Sequence, residues 1–268
     1  MKILLNYNYD LYPYTTASYL EMAMKDKLGC KVYRKDEIKD IIPDFVLNVQ
    51  PVEEVIKIKG VPSLYYEIDN HILKGNDVHF YDRVDMVLLA QYQFKEYYEG
   101  YKIADLPLAA DPKFNKRYKD ESQLYDIGLL GNDTYPERSA LLEMLKQNFN
   151  VLTGEAKPGE PYSRKLNQCK MIFNRSMMND VNMRFFEAIS CGRLLLTDYL
   201  PEQEKYAEDE KHYIIYKDGR DLIAKVKFYL NNEKERETIA KAGMKHIHKY
   251  HTYKHRLDTI IRLVKEKF

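Results

Sequence analysis

Short runs of apolar and β-branched residues alternate along the chain with longer segments whose apolar positions recur every three or four residues. In the first half the short runs are Lys2–Leu5, Lys31–Tyr33, Phe45–Val49, Pro62–Tyr66, Met86–Ala90 and Leu106–Ala109, which predict strands. Helical composition falls between them at Thr15–Leu28, Val52–Ile58 and Gln93–Gly100. After the polar stretch AADPKFNKRYKDESQ the pattern restarts. Strand Asp126–Leu130 leads to helix Ser139–Gln147, then strand Asn150–Leu152, helix Arg164–Cys169 and strand Lys170–Phe173. Helix Asn182–Ser190, strand Leu194–Thr197, strand Tyr213–Tyr216 and two or three helices from Asp221 onward complete the order. Strands alternating with helices predict parallel sheets with covered faces. The restart predicts two α/β domains, 1–112 and 113–268, facing each other across a cleft, with no repeat and no long linker between them.

Composition changes this picture little. Lys and Arg total 42 against 41 for Asp and Glu, so a net charge of +1 names no partner. A DNA acceptor, which would call for a basic stripe, is disfavoured on that ground. Three cysteines, Cys30, Cys169 and Cys191, lie far apart with no Cys-x-x-Cys pair, which suits a reducing compartment and buried hydrophobes. The start MKILLNYNYD turns polar at Asn6 and reads as a first strand rather than a signal peptide. No window offers the ~20 apolar residues of a membrane span, and the expectation is a cytoplasmic protein with no integral membrane segment. The first strand is not followed by Gly-x-Gly-x-x-Gly, and no phosphate-loop lysine motif occurs, which disfavours a dinucleotide oxidoreductase and an ATPase.

The polar residues of the second half cluster where strands end. In an open parallel sheet the ligand sits beyond the carboxyl ends of the strands. GLLGNDTYPER leaves a strand through Gly128 and Gly131, turns at Asn132–Asp133, and starts a helix at Pro136 with Arg138 in its first turn. Such a helix start attracts anions, and Arg138 suits a diphosphate; alternatively Asp133 or Thr134 caps the helix and Arg138 is solvated. The stretch KMIFNRSMMNDVNMRFFEAISCGRLLLTD gathers Asn174, Arg175, Ser176, Asn179, Asp180, Asn182, Arg184 and Glu187 at one loop edge. Helical spacing turns Met183, Phe186 and Ile189 toward the sheet and puts Arg184 and Glu187 together on another face. An exposed Arg–Glu pair worth ~0.2–0.5 kcal/mol is the competing account.

The segment NMRFFEAISCGRLLLTD resembles the N-x-R-x-F-E-x-x-x-C-G-x-x-L-L-T-D signature of the CgeB-like, spore-maturation-type glycosyltransferases of the GT-B fold. YDIGLLGNDTYPERSALLEML, LPLAADP and KAGMKHIHKYHTYKHRL are similar to other parts of that family, so the likeness runs from Ala109 to Arg256. The resemblance implies two Rossmann-like domains and transfer of a sugar from a nucleotide diphosphate donor to a hydroxyl-bearing glycan or protein acceptor. The donor is a co-substrate; no resident cofactor or metal is expected. It further implies that Glu187 holds the ribose, that Arg138 and the Asn182 helix start hold the diphosphate, and that Val151–Glu155, with Gly154, lies near the base; Arg184, Gly131, Asn132, Asn174 and Arg175 are further donor-binding candidates. One position departs from relatives with a retaining mechanism: where many of them carry a glutamate eight residues before the ribose one, this chain has Asn179. A retaining mechanism is therefore not carried over, and a non-catalytic nucleotide-sugar-binding protein is the alternative.

In the first half, LYYEIDNHI puts Glu67, Asp69 and His71 just after a strand. Asp69 is the first candidate for a general base and His71 the second, with Asp10 a further one; the plain alternative is a turn-forming Asp69 and a surface His71. Glu67 with Asp69, and Asp82 with Asp85, lack a metal's full partner set. His248, His251 and His255 recur at helical spacing, so they and His246 read as a polar helical face rather than a zinc site.

Overall fold

The computed structural model describes residues 1–8, 16–38, 41–131 and 134–268. It divides into two compact units, Met1–Leu108 with Tyr253–Phe268, and Ala109–Thr252.

The first unit is built on strands β1 (Lys2–Asn6), β2 (Lys31–Tyr33), β3 (Phe45–Val49), β4 (Ser63–Glu67), β5 (Met86–Leu89) and β6 (Ile103–Asp105), with helices α1 (Thr16–Asp26), α2 (Asn70–Leu73) and α3 (Val78–Tyr81) between them. All strand pairs are parallel, in the order β2-β1-β3-β4-β5-β6. Every residue of β3 and β4 is buried, including the polar Asn48, Ser63 and Glu67, as befits central strands of a sheet covered on both faces. The chain leaves β1 toward β2 on one side and reaches β3 on the other, so the order reverses between β1 and β3.

Three expectations fail here. Val52–Ile58 forms no helix, because the buried Asn48 side chain takes the Ile56 amide at 2.7 Å and donates to the Ile56 carbonyl at 3.3 Å, fixing the segment as a loop. Gln93–Gly100 is a run of 3₁₀ turns over Tyr92–Tyr98, kinked at Phe94. The edge strand ends at Asp105 rather than spanning Leu106–Ala109, since Pro107 has no amide to continue the ladder.

In the second unit β7 (Tyr125–Gly128), α4 (Pro136–Lys146), β8 (Val151–Leu152), α5 (Glu160–Asn167), β9 (Cys169–Phe173), α6 (Met183–Ser190), β10 (Leu194–Thr197), β11 (Ile214–Ile215), α7 (Gly219–Asn231) and α8 (Glu233–Tyr250) follow in turn. The sheet order is β11-β10-β9-β7-β8, again parallel, with the reversal between β7 and β9. One face presents Ile127, Met171, Phe173, Leu194 and Leu196 to Leu142, Leu145, Leu222, Val226 and Ile239 of α4, α7 and α8. The fifth helix begins at Glu160, where Pro161 occupies its first turn, and Cys169, expected at its end, opens β9 instead.

The last helix, α9 (Tyr253–Lys267), belongs to the first unit. Its Tyr253 ring stacks on Tyr19 of α1 at 5.3 Å, and buried Arg256 donates to the carbonyls of Pro107 and Leu108 at 2.7 and 2.9 Å. The boundary expected between 112 and 113 thus falls at Leu108–Ala109, and Tyr253–Phe268 returns to the N-terminal sheet. Apolar spacing marked this helix but carries no information on which sheet it covers.

Candidate active site

The strand order reverses between β7 and β9, and in parallel sheets ligands bind at the carboxyl ends beside such a reversal. The expected residues of the second unit meet there. Beyond β7, Gly131 stands at φ +106°, a conformation that glycine alone adopts without strain, and its amide donates to Gly154 O at 2.9 Å. Gly154 follows β8 at φ +113°. Asn132 and Asp10 lie outside the described residues.

Asn174, fully buried beyond β9, organises the edge. Its amide group donates to Thr197 Oγ1 at 3.1 Å, and its Oδ1 accepts from Arg184 Nη1 at 3.1 Å and Asn182 Nδ2 at 3.3 Å. Its own carbonyl accepts from the Tyr216 hydroxyl at 2.9 Å. Asn182 caps α6 by accepting from the Phe185 amide at 3.3 Å. Arg184 donates its other terminal nitrogen to Leu130 O at 2.6 Å. Both acceptors are neutral, its buried Nε has no hydrogen-bond partner, and no described carboxylate forms a direct ion pair with it; its charge at the start of α6 acts instead on the buried Glu187 and Asp180 carboxyls.

The two other arginines differ. Arg138 is buried, lies 5.6 Å over the Tyr135 ring, and donates to Arg175 O at 2.5 Å. Burial, then the neighbouring Arg184 charge, holds its guanidinium below the usual range. The solvated-Arg138 alternative is thereby corrected: the side chain turns inward. Arg175 is committed to carboxylates, pairing with Asp198 at 3.1 Å and with Glu137. It steadies the loop, and Ser176 N donates to the same Asp198 at 2.8 Å. Within that loop Met178 and Asn179 take left-handed backbone conformations, φ 50° and 63°. These are strained for non-glycine residues and characteristic of ligand-facing loops. Buried Asp180, pushed up to about 6 by desolvation and drawn back by the Met177 amide, closes the turn at 2.6 Å.

Glu187 is 5% exposed and forms no ion pair among the described residues. Desolvation pushes its carboxyl up to about 7, opposed by the Arg184 charge and a hydrogen bond from Tyr162 of α5. The exposed Arg–Glu pair is therefore not what the chain builds. Nor is α6 two-faced: Phe185 to Ser190 are all buried while Met183, expected inside, is half-exposed, because α8 covers the side away from the sheet. Tyr162, Asp198, Thr197 and Tyr216 were not identified from sequence. Tyr216 and Thr197 fall in strands already assigned, where a polar residue at the carboxyl end is a usable signal; Tyr162 offered none.

In the first unit Asp69 is exposed at the start of α2, its backbone amide donating to Gln50 Oε1 at 2.9 Å. His71 is not a surface residue. It is 3% exposed, neither ring nitrogen has a hydrogen-bond partner, and desolvation lowers its affinity for a proton. Glu67 is fully buried, accepts from the Tyr81 hydroxyl at 2.7 Å, and is pushed up to about 7 by desolvation. The C-terminal histidines do not form a solvated face either. The His246 and His212 rings stack at 4.3 Å, and His248 Nε2 lies 2.9 Å from Ser190 Oγ. Among the described residues no three His, Cys, Asp or Glu side chains gather as metal ligands. No helix among them is long and apolar enough to cross a membrane.

Two parallel-stranded α/β units, the second gathering Arg138, Arg175 and Arg184 at its strand ends, match the GT-B class of fold. Residues 114–262 match the family model described as glycosyl transferase-like, more than half of the chain, and the chain belongs to that family. No curated protein matches it. Among solved structures it is similar to Anabaena HepE in complex with UDP and glucose, at 10% identity and TM-score 0.68, covering 99% of this chain and 100% of that one. Sucrose-phosphate synthase from Thermosynechococcus elongatus matches at 10% identity and TM-score 0.59, over 84% of this chain and 73% of that one. The pneumococcal O-GlcNAc transferase GtfA in complex with UDP and GlcNAc matches at 12% and 0.54, over 82% of this chain and 56% of that one.

Proposed function

We propose that the protein is a glycosyltransferase of the CgeB-like type that takes a sugar from a nucleotide diphosphate donor and passes it to a hydroxyl of a glycan or protein acceptor. The second unit holds the donor and the first the acceptor. The observation that carries this reading is the start of α6, where Arg184, which forms no ion pair among the described residues, and Glu187 occupy one helix whose N-terminus lies at the β7/β9 strand ends. Arg184 and Arg138 take the diphosphate, Glu187 accepts from the ribose hydroxyls, and Gly131 and Gly154 leave room for the nucleotide to approach the backbone. HepE, crystallised with UDP and glucose and with UDP-glucose, supports the choice of UDP-sugars as first donors to try.

In the reaction the bond between the anomeric carbon and the diphosphate oxygen breaks and its electron pair leaves with the diphosphate, which Arg184, Arg138 and the helix amides stabilise. The acceptor oxygen bonds to the anomeric carbon and gives up its proton. Asp69, exposed at the start of α2, is the first choice to receive it, and His71 the second. Asn179, in its left-handed loop, keeps a second reading in play, a nucleotide-sugar-binding protein without turnover. Thermal-shift and calorimetric titration with UDP-, GDP- and ADP-sugars and with NAD tests the donor assignment. Slow donor hydrolysis that disappears in Glu187→Ala supports the transferase; tight binding without hydrolysis or transfer supports the second reading; binding of NAD alone contradicts both.

A further inference from the structure

The first sheet has its own reversal point, between β1 and β3, and a cavity of about 290 Å³ opens there, lined by Asn6, Tyr7, Asn8, Lys35, Val52, Glu53 and Glu54. It lies near the lower limit of the ~300–1,000 Å³ of small-molecule sites, which is room for one sugar ring. Its hydrogen-bond donors are already engaged. Asn6 Nδ2 donates to Asn48 Oδ1 and Glu54 O at 2.8 and 2.9 Å, the Tyr7 hydroxyl donates to Glu21 at 2.9 Å, and Lys35 is paired with Glu54. Two of its acceptors are not. Asn6 Oδ1 carries none of those bonds, and Glu53 is exposed and forms no ion pair among the described residues. With Lys35 cancelled by Glu54, the described lining residues bear one net negative charge beside the apolar surfaces of Val52 and the Tyr7 ring.

We propose that this cavity is a sugar subsite that selects a donor-rich, amine-bearing ring, with Glu53 facing the ammonium group. The proposal rests on the reading of the first unit as the acceptor-holding one, and it names the acceptor's chemistry. A glucosaminide fits; a glucuronide or a phosphorylated sugar meets a like charge.

The test uses the full chain and three probes of charge +1, 0 and −1 on the same ring, methyl β-glucosaminide, methyl β-glucoside and methyl β-glucuronide, titrated by saturation-transfer NMR and calorimetry at low salt. The glucosaminide is expected to bind about fivefold more tightly than the glucoside, the effect of one unit charge ~4 Å away in water, and the glucuronide more weakly than both. Glu53→Gln should remove the preference and Glu53→Arg should invert it; because Glu53 is exposed, neither substitution disturbs a core contact. Absence of binding by all three, or an order unchanged in Glu53→Arg, overturns the proposal. UDP binding to the same wild-type sample is read separately: its absence counts against the donor site of the second unit and leaves the sugar result to stand on its own.

Discussion

Replacing Glu187 by Gln should make the protein more stable and less able to bind its donor, and the two effects have one physical origin. The buried carboxyl is raised from 4.5 to about 7, so the folded protein keeps its proton over a pH range in which the unfolded chain has lost it. The sign follows directly. Below pH 4.5 both states are protonated and the residue costs nothing; stability falls as pH rises from there to 7, and above 7 the full penalty of holding a desolvated anion remains. At ~1.4 kcal/mol per pH unit that penalty is about 3 kcal/mol. Gln is uncharged and of the same shape, so it relieves the penalty at pH 8 and changes little at pH 4.5. For a chain of this size such a gain raises Tm by about 6–12 °C. Differential scanning calorimetry of both proteins from pH 4.5 to 8 measures it. A Tm difference that is flat with pH, or a variant less stable at pH 8, would show that Glu187 is not held as an uncompensated buried acid. In the same samples the loss of an ionised acceptor for two ribose hydroxyls should weaken UDP-sugar binding by about 2–3 kcal/mol, or ~30–150-fold.

Other outcomes follow from the same geometry. Because the ribose hydroxyls favour ionised Glu187, donor affinity should rise as pH climbs from 6 through 7 and level off near 8, and calorimetry on Glu187→Gln should show no such rise. Gly131→Ala places a Cβ 2.8 Å from Arg184 Nη2 at φ +106°, and should cost about 1–3 kcal/mol of stability and weaken donor binding by displacing the arginine, both read by thermal shift with and without UDP. Gly243→Ala on α8 sets a Cβ 2.3 Å from the His212 carbonyl oxygen, a backbone atom with no rotamer to yield, so a loss of at least ~2 kcal/mol in urea unfolding is expected. Arg256→Ala leaves the Pro107 and Leu108 carbonyls without their donors and should destabilise the first unit by about 2–3 kcal/mol, visible as amide exchange accelerating in β5 and β6 before β9 and β10.

The strands were legible because their runs are short and mostly apolar or β-branched, and Phe45–Val49 and Leu194–Thr197 fall where the pattern places them. The edge of the sheet that carries the polar residues was legible too, since Asn174, Asn182, Arg184 and Gly131 all sit at strand ends or the first turn of a helix. What the pattern left out depends on partners distant in sequence. Glu187 and Arg184 share a helical face by spacing, but the burial of that face comes from α8, some fifty residues later. The loop at 52–58 reads as helix until one sees Asn48, in the strand that leads into it, bonding to Ile56. His71 sits in a polar stretch, and only the folded first unit encloses it. The return of α9 to the first unit rests on Tyr19 and two carbonyls more than a hundred residues upstream.

The most direct measurement is the structure of the chain soaked with UDP. The account requires the ribose to hydrogen-bond to the carboxylate of Glu187, with the diphosphate against Arg184 and the opening amides of α6. A nucleotide bound elsewhere, or bound there while Glu187 keeps only its Tyr162 contact, would contradict it.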